Sequence, residues 1–226
     1  MDFALVTEGV TDHAILKNIL LGYFKEQRDP EVHREHPNPQ AEKRHGGWTL
    51  VIQYLRAKKY RQAFQFNRFI IVQVDTDVAE DPGFDVPKQG PNGPLPPGEF
   101  ITAVIERLKS EIDQDDLVSY GERFIFAIGV EQLECWVLPL WFGDAKGEQT
   151  ANCTSRLGGC PNLRNELSAK NFRWITPSEK DYFSYDIASR GYRKGSALLT
   201  AGRRNPSLSV FLDELDRRTI VLPALD

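Results

Sequence analysis

The sequence predicts an α/β domain with a largely parallel sheet flanked by helices, followed by a mostly helical C-terminal extension. Three observations carry that expectation. Apolar runs at Phe3–Val6, Arg68–Val74 and Arg123–Gly129 alternate with segments of helical periodicity. Each run is near-continuously apolar, as strands buried on both faces of a parallel sheet are. Each run also gives way to carboxylates, Glu8 after the first, Asp75 and Asp77 after the second, Glu131 and Glu134 after the third.

The elements follow in chain order. Phe3–Val6 reads as a buried strand, and Thr11 as the cap of a helix to about Lys25, with Ile15, Leu16, Ile19, Leu20 and Tyr23 at helical spacing. Residues 28–47 hold His33, His36 and His45 among charges and prolines and read as an exposed loop. A helix from Trp48 to Gln62 precedes the second strand. Residues 78–98 then carry six of the fourteen prolines and four glycines, a long structureless insertion directly behind Asp75-Thr76-Asp77. A helix over Glu99–Asp115 leads to the third strand, and a helix or helical turn begins at Val130. Beyond Phe142 the pattern weakens to a Gly/Cys loop, short helices at 162–170 and 177–189, a basic stretch over 190–204 and a last helix over 207–217. The expected division is an α/β domain over 1–142 and a helical, basic extension over 143–226.

At 226 residues the chain can build its own core without staples. The three cysteines form neither a disulfide framework nor a close CxxC pair, so a reducing cytoplasm is the expected setting. No apolar stretch approaches the ~20 residues of a membrane span, and no basic segment precedes the first apolar run, so neither a span nor a signal peptide is expected. The net charge of -4 is unevenly spread: residues 1–150 hold 16 Lys+Arg against 24 Asp+Glu, and residues 151–226 hold 12 against 8. An acidic front points to a cation site, and a basic tail to a polyanion surface.

In an open parallel sheet the carboxyl ends of the strands share one edge, where ligands bind. Glu8, Asp75 and Asp77 are therefore expected to converge there. Clustered carboxylates favour a cation, and all-oxygen ligands favour a hard one, magnesium or manganese. Asp75 and Asp77, two apart, would share a face of an extended strand. Asp12 is as readily a helix-start charge as a site residue. Arg190, Arg193, Lys194, Arg203 and Arg204, with Tyr192 among them, could track a DNA or RNA backbone or simply form a solvated basic face. Trp136 and Trp141 read as core. The histidines lack zinc-site spacing.

At the level of motif order, "VTEGVTD" followed by an apolar strand ending in "VDTD" resembles the toprim domain, a Rossmann-like fold shared by type IA topoisomerases, primases, recombination proteins and OLD-type nucleases. A closer likeness is to small bacterial toprim-like proteins, through "DTD", Glu134-Cys-Trp136, Lys194-Gly195 and Pro206-Ser207. The resemblance implies a magnesium-dependent nuclease in phage defence. Asp75 and Asp77 would hold the metal, Glu8 would hold a second metal or act as general acid/base, and Glu134 would be a further acidic contributor in preference to Glu131. It implies an ABC- or AAA-type ATPase partner, because this chain has no GxxxxGK[ST] loop. A homo-oligomer is compatible with it. The Pro/Gly insertion after Asp77 departs from the family pattern. A non-catalytic regulatory or partner-binding module of a two-gene system is the alternative, and an enzyme of small phosphorylated substrates a third reading.

Overall fold

The computed structural model of the chain describes residues 1–37 and 47–224, so His45 lies outside the described residues. Strands β1 (Phe3–Val6), β2 (Val32–His36), β3 (Phe69–Asp75) and β6 (Phe124–Gly129) form one all-parallel sheet in the order β2-β1-β3-β6, and β4 (Gln89–Gly90) and β5 (Gly93–Pro94) form a short antiparallel hairpin. The helices are α1 (Val10–Tyr23), α2 (Trp48–Arg56), α3 (Tyr60–Ala63), α4 (Pro97–Lys109), α5 (Gln114–Tyr120), α6 (Leu138–Trp141), α7 (Cys153–Gly159), α8 (Pro161–Ala169), α9 (Tyr182–Ser189), α10 (Gly195–Thr200) and α11 (Pro206–Arg218). None is long and apolar enough to cross a membrane. The chain divides into two compact units, Met1–Gly9 with Glu31–Glu131, and Val10–Pro30 with Gln132–Asp226. The division is not a single cut near residue 142, because α1 clusters with the C-terminal helices.

The first unit holds the sheet. Phe3, Ala4, Leu5 and Val6 are all fully or nearly fully buried, as are Ile70, Ile71 and Val72 on β3 and Phe124 and Ile125 on β6. These apolar runs make the central strands, as their composition dictates. The fourth strand corrects the sequence reading, which placed an exposed loop at 28–47. Val32-His-Arg-Glu-His36 pairs with β1 from Phe3↔Val32 to Val6↔His36. Its polar composition hides it because it is an edge strand, half-buried along its length and held by backbone pairing rather than by an apolar side-chain pattern.

The expected helix over 48–62 is broken into α2 and α3 by Lys58, whose φ of 53° is left-handed. Pro97 opens α4, a first-turn position where its missing N–H costs nothing. Asp113 caps α5 by accepting from the amide of Asp115 at 3.1 Å. The 78–98 segment is also not structureless. Its Phe84 is buried and packs edge-on against Trp48 at 5.3 Å, Val86 N–H donates to Ala79 O at 2.8 Å, and the Arg107 guanidinium on α4 donates to the carbonyls of Gly83 and Phe84.

The second unit is helical. Trp136 is fully buried as expected, stacked on Phe211 at 5.4 Å with its indole N–H donating to Ser207. The buried hydroxyl of Tyr192 donates to Trp136 O. A Cys135–Cys153 disulfide closes an 18-residue separation, and Cys160 is a buried free thiol. This corrects the expectation of unpaired cysteines: α7 begins at Cys153 within the segment read as a loop, and its first residue comes to 5.0 Å Cα–Cα from Cys135.

Candidate functional site

The register of the first unit decides what meets at the carboxyl edge of the sheet. Val6 is the partner of Val72, so β3 continues past the end of β1 and Thr7-Glu8 run beside Gln73–Asp75. Three hydrogen bonds then close a ring between the two strand ends. Glu8 N–H donates to Gln73 Oε1 at 3.1 Å, Gln73 Nε2 donates to Asp75 Oδ1 at 2.9 Å, and Asp75 N–H donates to Glu8 Oε1 at 2.7 Å. Gln73 is fully buried and Asp75 is 8% exposed, while Glu8 is half-buried. Gln73 and Asp75, two apart on an extended strand, share a face. The neutral amide of Gln73 thus links the Glu8 backbone to the Asp75 carboxylate, while the Glu8 carboxylate is held by the Asp75 N–H, so each group of the ring has a partner, as a buried polar group requires.

Asp77 stands apart from the expected geometry. The strand stops at Asp75, and the backbone turns away because the amides of Thr76 and Asp77 both donate to Glu131 O, at 3.2 and 3.1 Å. Asp77 is exposed, so the strand face shared with Asp75 belongs to Gln73 instead. Glu131 answers this clasp from the end of β6. Its N–H donates to Thr76 Oγ1 at 2.8 Å, and its φ of 61° is left-handed, a conformation that costs a side-chain-bearing residue about 1 kcal/mol. Over it lies Lys88 from the insertion, whose ammonium donates to Glu131 Oε1 at 3.0 Å and to Asp77 O at 3.1 Å. The edge therefore carries carboxylates from the turn after β1, the end of β3 and the turn after β3, bordered by the Lys88 ammonium.

These are hard oxygen donors. Among the described residues no three His, Cys, Asp or Glu side chains form a group that could hold a metal ion. The donor set fits a largely hydrated magnesium ion, which commonly rests on one or two carboxylates plus water and substrate phosphate, and does not fit an all-protein cage.

The remaining expected site residues lie in the second unit. Glu134 is fully buried in the turn Leu133–Trp136; its Oε1 accepts from Tyr185 OH and from Lys180 Nζ, both at 2.9 Å. Burial first, then the charge of Glu134, pushes the Tyr185 hydroxyl far above its ordinary range, so it stays a neutral donor. Asp12 is buried in the first turn of α1, where a carboxylate suits the helix dipole.

The basic stretch is committed to ion pairs within its own unit. Arg190 and Arg193 both bind Asp186, at 2.5 and 2.7 Å. Burial works against that carboxylate, yet the hydrogen bond from Arg190 and the charge of Arg193 hold it below its usual range. Arg203 pairs with Asp213 and Asp216, and Arg204 binds Phe142 O, Asp144 O and Glu148. Lys194 is exposed at the start of α10. Pro206-Ser207 opens α11, where Asn205 Oδ1 accepts from the amides of Ser207 and Leu208.

Two residues of the edge were not singled out from sequence. Gln73 had a signal, a lone amide inside an apolar strand run. Lys88 had none, because only the folded insertion brings it back to the strand ends. Compared with family models, with curated proteins and with solved structures, the chain matches none.

Proposed function

We propose that the carboxyl edge of the sheet is a magnesium-dependent phosphodiester-processing site of the toprim-like kind. In this reading the protein is a nuclease of bacterial phage defence that works with a separately encoded ATPase. The observation that carries the chemistry is the closed ring of Glu8, Gln73 and Asp75 at adjacent strand ends. The defence setting and the ATPase rest on the motif resemblance. Asp75, held by Gln73, would hold the ion, with Asp77 in the exposed turn that follows contributing through water. When bound, magnesium supplies charge stabilisation at the phosphoryl oxygens. Glu8 presents one oxygen to the Asp75 amide, which orients the carboxylate to ligate or to take a proton from an attacking water. Lys88 fixes the Asp77 carbonyl and Glu131, holding the turn that carries Asp77.

A regulatory module without turnover is the second reading. It is favoured by Lys88 itself, a cation supplied by the chain that already neutralises part of the acidic edge.

Incubation with single- and double-stranded DNA and RNA, in magnesium, manganese or chelator, tests the proposal. The expected result is metal-dependent cleavage by the wild type, lost in Asp75→Ala/Asp77→Ala. Cleavage that persists in chelator or in the double variant would contradict the site. A wild type that cleaves nothing would favour the regulatory reading.

A further inference from the structure

A second surface, in the helical unit, has the makings of a nucleic-acid contact. Phe66, Trp174 and Phe183 are the large aromatic side chains left exposed among the described residues, and two of them, Trp174 and Phe183, lie nine positions apart between α8 and the start of α9. Trp174 is 49% and Phe183 58% exposed. Phe183 stacks on Phe172 at 5.9 Å with an interplanar angle of 13°, and the Arg164 guanidinium lies over the Trp174 ring at 4.7 Å.

The surface is held in place from beneath. Ile175 is buried, and its carbonyl sits so close to Gly158 that a Cβ there would come within 2.1 Å. The Arg173 carbonyl accepts from Ser184 Oγ at 2.7 Å, and Trp174 Nε1 donates to Ser168 Oγ at 2.9 Å. Rings left in water on a fixed backbone lose little freedom when a second flat group covers them.

Charge identifies that group. Residues 161–180 carry Arg164, Lys170, Arg173 and Lys180 against Glu166 and Glu179; Lys180 pairs with Glu134 and Lys170 with Glu166, so the cations beside the rings are Arg164 and Arg173. The Arg173 side chain is 71% exposed, and its 3.4 Å pair with Glu179 is a long surface contact worth little against a phosphate. Stacking aromatics interleaved with basic side chains is the chemistry that binds unpaired bases along a phosphate backbone. Duplexes hide their base faces, so an exposed ring offers them nothing.

We infer that Phe172, Trp174 and Phe183, with Arg164 and Arg173, form a binding surface for single-stranded nucleic acid. The inference deepens the phosphodiester reading and rests on it for the substrate class. It moves the contact from the tail arginines, which are held in ion pairs, to the stretch between α8 and α9.

Fluorescence anisotropy with labelled oligothymidylate, oligouridylate and a DNA duplex, in chelator so that no strand is cut, tests it on the full chain. The wild type is expected to bind the single strands more tightly than the duplex, with affinity falling as salt rises. Trp174→Ala and Phe183→Ala, both exposed and checked for unchanged melting temperature, should each weaken binding roughly tenfold. Val118→Ala, at an exposed apolar position on α5, should bind as the wild type does. Variants that bind like the wild type, a preference for duplex, or no binding would overturn the surface without touching the cleavage result. Dimerisation of the wild type that Phe183→Ala abolishes would place a second copy there and overturn it equally. Loss of binding in the aromatic variants alongside a wild type that never cleaves would keep the surface and discard the nuclease.

Discussion

Gln73 is the residue on which the site turns. It is fully buried in the middle of an apolar strand, and its amide is the joint between the Glu8 backbone and the Asp75 carboxylate. Gln73→Leu keeps the volume and removes both bonds. It is expected to destabilise the fold by about 2 kcal/mol in urea unfolding, because two buried polar groups lose partners. Divalent-ion affinity should fall roughly 10- to 100-fold, as for lost supporting partners of metal ligands. Unchanged affinity in a folded Gln73→Leu variant would show that the ring does not position the carboxylates. The sequence made Glu8 and Asp75 legible because strand ends are simple to place from apolar runs. It did not make the spacing of Asp77 legible, because the turn after β3 is set by the Thr76 and Glu131 clasp, a contact across 55 positions of chain.

Among the elements, the central strands and most long helices followed from their apolar pattern, and the misses share one cause. Where backbone pairing or a distant contact replaces side-chain burial, periodicity is silent. That is why β2, a polar edge strand, read as a loop, and why the insertion read as structureless although Phe84 and Arg107 pin it. α1 shows the opposite case, a helix found correctly whose partners were not. Gly22 lies in its last turn, where a Cβ would come within 1.8 Å of Tyr192 O. Gly22→Ala should therefore cost about 2 kcal/mol or more in thermal or urea unfolding, since backbone must move to relieve the overlap. Stability equal to the wild type would mean that α1 does not pack on the Arg190–Arg193 turn as described.

For the molecule as a whole, the uneven charge of the sequence resolves into two different uses. The acidic excess of the first part gathers in part at the strand ends, where Glu8 and Asp75 are held in one hydrogen-bond ring. The basic excess of the tail is largely spent on internal pairs, Arg190 and Arg193 on Asp186 and Arg203 on Asp213 and Asp216. Composition could report the surplus but not its partners: Arg190 and Asp186 are one helical turn apart, whereas Arg193 and Arg203 reach their carboxylates only through the turns that the fold sets. The proposed function requires that the acidic edge take up a divalent ion. Titration of manganese into the wild type and into Glu8→Gln and Asp75→Asn, followed by electron paramagnetic resonance of the free ion, measures this directly. Saturable binding to the wild type that falls at least tenfold in both variants is the predicted result; no binding, or binding that both variants retain, would contradict a metal site at the ends of β1 and β3.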